Sequence, residues 1–140
     1  METPLHWYAL SAMLLFVKMF ALSLYQGWHR ISKRTFRNPE DAGFVGKPPA
    51  AEELPQVQRA ARAWLNDLEN IPIFLALGVA YVLLDASHAA APVLFLGFTA
   101  ARYAHSLCYL LELQPWRTLA YGIGIACMFG MCAAIFTALP

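Results

Sequence analysis

Arg102, His105 and Tyr109 recur at spacings of three and four inside a strongly apolar segment, which sets them on one stripe of a helix. Arg62, Asn66 and Glu69 repeat that spacing where a second apolar segment begins, and Arg117, Thr118 and Tyr121 stand at the start of another. Ionisable groups are costly in hydrocarbon, so Arg62, Glu69, Arg102, His105 and Arg117 are functional candidates by default. Their chemistry suits a zwitterionic or anionic ligand. Arginines hold carboxylates bidentately, Glu69 offers a partner for an ammonium, and Asn66 and His105 offer neutral hydrogen bonds. An arginine beside a thiol also favours the thiolate, the nucleophilic form. His29, His88 and His105 sit on separate segments without metal-ligand spacing, so no metal is expected.

Each group also has a purely structural reading. Arg62 and Glu69 can snorkel to water, and Arg117 with Tyr121 can anchor a helix end at a membrane interface. Arg102 lies deep in its segment and needs a partner, Asp67 or Glu69; a structural ion pair satisfies it as well as a ligand does. Lys18, at mid-depth in the first apolar segment, has the same need. Asp67 or a backbone carbonyl is expected to neutralise it, with no catalytic role.

The elements that position these groups follow from composition. Of the 140 residues, 59% are hydrophobic and 14% charged, with a mean hydropathy of +0.48; a soluble domain carries about 25% charged residues. Four segments, 5–29, 65–84, 89–111 and 116–138, reach the roughly 20 apolar residues of a spanning helix. The expectation is an all-α integral membrane four-helix bundle, one domain over residues 1–140. Pro92 and Pro115 fall at helix starts, where the missing N–H does no harm; Pro72, inside the second segment, is predicted to bend it. Residues 30–53 read as the only long loop. Helical periodicity resumes near Leu54, so the second helix runs to about 45 Å at about 1.5 Å per residue. That exceeds the roughly 30 Å of hydrocarbon, and its charged first third projects into water.

A net charge of +1 supplies no basic field for nucleic acid. Residues 1–4 lack the basic region of a secretory signal, and the apolar stretch after them is too long to be a signal core. Cys108, Cys127 and Cys132, odd in number and without a CxxC pair, argue against a disulfide framework. Arg30, Lys33, Arg34, Arg37, Lys47, Arg59 and Arg62 crowd the first connection and its flanks, and Arg117 the third, while the N-terminal tail, the Asp85–His88 turn and the C-terminal end carry no lysine or arginine. The positive-inside rule then places the loop in the cytoplasm and both termini on the outer side, periplasmic or lumenal. Depth counted on that basis brings Arg30, Arg62, Asn66, Glu69, Arg102, His105, Tyr109, Arg117, Thr118 and Tyr121 into one layer open to the cytoplasm.

At these residues the chain resembles the MAPEG family, the membrane-associated proteins in eicosanoid and glutathione metabolism. The matching stretches run in order: Arg30 and Phe36-Arg37-Asn38-Pro39-Glu40-Asp41-Ala42; Arg62-Ala63-Trp64-Leu65-Asn66-Asp67-Leu68-Glu69-Asn70-Ile71; Arg102-Tyr103-Ala104-His105 with Tyr109; and Pro115-Trp116-Arg117-Thr118 with Tyr121. The resemblance implies a homotrimer that binds glutathione, as cofactor or co-substrate, between neighbouring subunits at the cytoplasmic side. By residue-for-residue match, Arg30, Arg62, Asn66, Glu69, His105, Tyr109, Arg117 and Tyr121 hold glutathione. Arg117 stabilises its thiolate with Thr118 beside it, and Asp41 matches an aspartate discussed as catalytic in the prostaglandin-synthase branch. That branch has arginine where Leu65 stands and serine where Thr118 stands, and the run Leu65–Ile71 is closer to the glutathione-transferase branch.

The implied activity is conjugation of glutathione to lipophilic electrophiles arriving from the lipid, with glutathione peroxidase activity as an extension. The rivals are a glutathione-dependent prostaglandin E synthase-type isomerase, a non-catalytic lipid-binding or scaffold protein, and a small transporter with Lys18, Asp67 and Arg102 as a buried relay.

Overall fold

Prolines stand at the start of every helix of this chain, and left-handed residues close all but the last. The computed structural model describes residues 3–140. They form five helices and no strand: α1 (Pro4–Lys33), α2 (Pro39–Phe44), α3 (Pro55–Leu83), α4 (Ala91–Leu110) and α5 (Trp116–Ala138). Proline occupies the first or second position of α1 to α4, where its ring presets the helical φ. Pro115 stands immediately before α5.

The C-terminal ends share one device. The N–H of Thr35 donates to Arg30 O and that of Arg34 to Ile31 O; Ala86 and Asp85 repeat the pattern on Tyr81 and Val82, and Leu113 and Glu112 on Cys108 and Tyr109. These are paired 6→1 and 5→2 bonds that satisfy the last carbonyls of a helix. The left-handed position is taken by Arg34, Asp85 and Glu112, with φ of 50°, 49° and 62°, rather than by glycine. Gly46 closes α2 in the same way. Side chains at these bends are strained by about 1 kcal/mol or more each, so their identity calls for a reason beyond the turn.

Packing follows periodicity. Along α3 the buried positions Val57, Ala60, Ala63, Asp67, Asn70, Ile71, Phe74, Gly78 and Tyr81 advance by threes and fours, the signature of one buried helical stripe. Phe74 stacks on Phe98 of α4 with ring centres 4.0 Å apart, and Phe95 meets Phe74 and Tyr81 edge-on. Leu15, Met128 and Met131 complete this core. Gly78 permits the close approach of α1, since a Cβ there would lie 2.5 Å from the Tyr8 ring.

α1, α3 and α4 pack on one another, and α5 packs on α4 and α3. The backbones of α1 and α5 do not approach each other, and α2 lies against no other helix. Phe16, Val17 and Phe20 of α1 and Leu119, Ile123 and Phe129 of α5 are left exposed. Faces this apolar belong in lipid or against another chain.

α1, α3 and α5 are long and apolar enough to cross a membrane; α4, with buried Arg102 and His105, is not in that set. Two expectations are corrected. The 30–53 segment is not a plain loop: α1 continues to Lys33, and α2 occupies Pro39–Phe44. Its register was hidden because six helical residues are too few for a periodic pattern to show. The chain thus has a fifth, short helix beside the long ones.

Candidate functional site

The α4 stripe of Arg102, His105 and Tyr109 divides its work. Arg102 is only 1% exposed and is held within the protein. Its Nε and Nη2 donate to Asp67 Oδ1 at 2.9 and 2.6 Å, and Nη2 also donates to Asn66 Oδ1 at 2.7 Å. The other Asp67 oxygen accepts from Lys18 Nζ and from Ser106 Oγ at 3.3 Å. Asp67 thus joins α1, α3 and α4, and of the two partners expected for Arg102 it is Asp67, not Glu69, that serves. It also neutralises Lys18. Two cations around one carboxylate leave a single positive charge in the bundle interior.

Toward the end of the bundle, His105 and Tyr109 turn to a cavity of about 290 Å³ that they line with Asn66, Arg117, Thr118 and Tyr121. The ring of His105 is edge-on to Tyr109 at 5.8 Å and tilted to Tyr121 at 6.3 Å. The Arg117 guanidinium carbon lies 4.5 Å from the centre of the Tyr109 ring, within cation–π range. Gln114 holds the other side of that guanidinium. Oriented to satisfy both groups, its carboxamide oxygen accepts from Arg117 Nε at 3.2 Å and Nη2 at 2.5 Å, and its nitrogen reaches Thr118 Oγ1 at 3.2 Å. Arg117 is therefore fixed by neutral groups, and among the described residues no carboxylate forms an ion pair with it.

A second cavity, about 270 Å³, adjoins through Tyr109 and Arg117 and is lined by Arg59, Arg62, Glu112 and Gln114. Arg62 has no ion-pair partner there among the described residues. Arg59 does: it pairs with Glu112 at 2.5 Å. The strained left-handed residue at the end of α4 is thus the one that lays a carboxylate across the mouth of this space.

The structure brings Arg62, Asn66, His105, Tyr109, Arg117, Thr118 and Tyr121 to these two connected spaces. It does not bring Arg30. That side chain points to a separate cavity with Ser23, Gln26 and Trp64 and is paired with Glu53, Nη2 to Oε2 at 2.6 Å and Nε at 3.0 Å. Glu69 is exposed, 3.4 Å from Asn66 Nδ2, and lines neither space. Asp41 is exposed in the first turn of α2, accepting from Asn38 Nδ2 at 3.2 Å, and it also lines neither. Depth along a helix puts Arg30 and Glu69 in one layer with Arg117, but azimuth around the bundle separates them within one chain, and Asp41 was expected only from the resemblance.

Gln114, Arg59 and Glu112 were not singled out from sequence. For Gln114 a signal existed: a polar residue three positions before Arg117, at a helix start, lies within reach of the first turn. For the Arg59–Glu112 pair there was none, because it spans α3 and the end of α4. No group of three or more His, Cys, Asp or Glu side chains with metal-binding geometry occurs among the described residues.

A wide apolar groove of about 630 Å³ runs beside Thr118 along Trp116, Leu119, Gly122, Ile123 and Ala126 of α5. Polar cavity and apolar groove share Thr118, so a water-soluble anion and a lipophilic molecule can meet at that residue.

The chain is similar to known proteins over most of its length. Residues 8–137 match the MAPEG family. Prostaglandin E synthase of Homo sapiens is 38% identical over 115 residues, covering 81% of this chain and 76% of that protein. Microsomal glutathione S-transferase 1 of Rattus norvegicus is 37% identical over 125 residues, covering 86% and 81%, and that of Bos taurus is 39% identical over 119 residues, covering 81% and 77%.

Proposed function

The chain belongs to the MAPEG family, and from that membership we propose that it is a membrane-bound glutathione transferase. It conjugates glutathione to lipophilic electrophiles and, as an extension, reduces hydroperoxides with it. The observation that carries this reading is Arg117: a guanidinium stacked on Tyr109 and steadied by a neutral amide, without an ion-pair partner among the described residues. A cation so placed lowers the energy of a sulfur anion beside it, and because it is already oriented it costs no reorganisation during reaction. Arg62, Asn66, His105, Tyr109 and Tyr121 bind and orient the tripeptide, which supplies the positional share of catalysis. Thr118 stands where the polar cavity meets the apolar groove, and the electrophile enters from lipid along α5.

In this reading α1, α3, α4 and α5 are the four spanning helices, with Arg30, Arg62 and Arg117 at the cytoplasmic face and both termini on the outer side. The subunit is a homotrimer. The separation of Arg30 and Glu69 from Arg117 supports that assembly, because a neighbouring copy that sets its α1 face against α5 completes the set of ligand contacts. The exposed apolar faces of α1 and α5 are what such a contact buries. Asp41 orders the turn at Asn38 in this arrangement.

Glutathione should raise the thermal midpoint of the detergent-solubilised protein, since a ligand at about 100 times its Kd stabilises by about 2.7 kcal/mol. No shift at millimolar glutathione would sink the assignment. Identity to a prostaglandin E synthase keeps an isomerase in view as the second reading. Product formed from a prostaglandin endoperoxide without net loss of glutathione is its signature, and steady consumption of glutathione with a chlorinated nitrobenzene is that of the transferase.

A further inference from the structure

Arg102 touches two groups that face the cavity and leaves each of them one way to bond. The Asn66 carboxamide has its oxygen engaged by Arg102 Nη2 at 2.7 Å and one amide proton directed to Glu69 Oε2 at 3.4 Å, so the second N–H is what it has left for a ligand. His105 Nδ1 lies 3.5 Å from the same Nη2. A guanidinium only donates and never gives up its protons in a protein. Both Nη2 protons already go to Asp67 and Asn66, at 2.6 and 2.7 Å, so the guanidinium acts on the ring through its charge: it disfavours an N–H and favours a lone pair on the nitrogen facing it, which puts the proton on Nε2. Asp67 fixes Arg102 through both Nε and Nη2; Asp67, Arg102 and His105 are buried, and Asn66 is partly so.

We propose that Arg102 is a positioning residue that turns both Asn66 and His105 into hydrogen-bond donors toward the cavity, so that the site selects ligands presenting acceptor oxygens there and rejects those presenting donors. This rests on the glutathione reading: peptide carbonyls and carboxylates are such acceptors. A site whose donors are locked in this way discriminates strongly, because a mismatched ligand leaves a buried donor unpaired. Arg102 itself need not touch the ligand.

Two variants test it in the full-length, detergent-solubilised protein. In Arg102→Met the Lys18–Asp67 pair remains charge-balanced, so the bundle keeps its fold. The 15N signals of His105 should shift from an Nε2–H ring toward a mixture of tautomers, and glutathione affinity by calorimetry should fall at least tenfold. Asn66→Asp keeps the shape, gains an ion pair with Arg102 and exchanges the donor for a carboxylate, so the part of the loss that is shared by glutathione with both carboxylates esterified is the part that reports on the donor. Its thermal midpoint should hold or rise while glutathione affinity again falls at least tenfold; a purely structural role for Asn66 would leave affinity in step with stability. The proposal is overturned by an Nδ1–H ring in the parent protein. It is also overturned by parent-like affinity in Asn66→Asp, or by a tautomer change in Arg102→Met with unaltered affinity. If the parent protein shows the Nε2–H ring but no glutathione binding, it is the transferase assignment that fails. The donor polarity then stands on the ring signals, and oxidised or S-alkylated glutathione and free dicarboxylates become the ligands to titrate.

Discussion

The guanidinium of Arg117 rests 4.5 Å above the Tyr109 ring, the first turn of α5 meeting the last turn of α4. The contact crosses a short connection whose own Gln114 closes the other side of the arginine. Position and charge of the same group are thereby set by three residues from two helices and the turn between them.

Removing the guanidinium tests its role most directly. Arg117→Ala should lower kcat for conjugation by about 10²- to 10³-fold, the usual loss when one preorganised donor to a developing anion is deleted. Arg117→Lys should recover only part, because an ammonium cannot share the fork geometry that Gln114 reads. Steady-state rates with a chlorinated nitrobenzene check both, and an Ala variant as fast as the parent removes Arg117 from the mechanism.

Gln114 offers a sharper test, since charge alone can be changed there. Gln114→Glu places a carboxylate against Arg117 Nε and Nη2 and compensates the cation. The expected result is a drop in rate approaching that of Arg117→Ala, with an unchanged or higher thermal midpoint. Gln114→Ala should cost less, because the stacking on Tyr109 remains. A Glu variant with parent-like turnover would show that the net charge on Arg117 does not matter.

The buried hub at Asp67 predicts an asymmetry in stability. Asp67→Asn leaves Lys18 and Arg102 facing each other without a counter-charge and should destabilise by about 3–5 kcal/mol, the range for breaking a buried pair from one side. Lys18→Met leaves Arg102 and Asp67 as a balanced pair and should be neutral or stabilising, by up to about 4 kcal/mol. Thermal or denaturant unfolding in the same detergent measures both, and equal losses would contradict the two-cation arrangement.

Gly78 sets how closely α1 can lie on α3. Gly78→Ala would drive a methyl into the Tyr8 ring and should cost about 1–3 kcal/mol, the range for overpacking. A smaller side chain at position 8, as in Tyr8→Ala, should restore much of that loss in the double variant. Additive losses would mean that the two residues do not meet.

Much of this site was legible in the order of residues. Spacings of three and four put Arg102, His105 and Tyr109 on one stripe, and cost in hydrocarbon required partners for Lys18 and Arg102, a role that Asp67 fills for both. Both inferences depend only on the geometry of a single helix and on the dielectric around it, which are local or general. What periodicity does not contain is how each helix is rotated about its own axis against its neighbours. That rotation, decided by packing of Phe74, Phe95 and Phe98 and by the close approach at Gly78, sends Arg30 to Glu53 and away from Arg117. It also turns Glu112, at the left-handed end of α4, onto Arg59. The existence of the long helices and the polar stripes on them were therefore determined by the chain alone, through the 3.6-residue repeat and the exclusion of charge from lipid. Which cations remained free and which were neutralised was decided only by tertiary structure, because an ion pair forms between side chains whose proximity no single helix specifies.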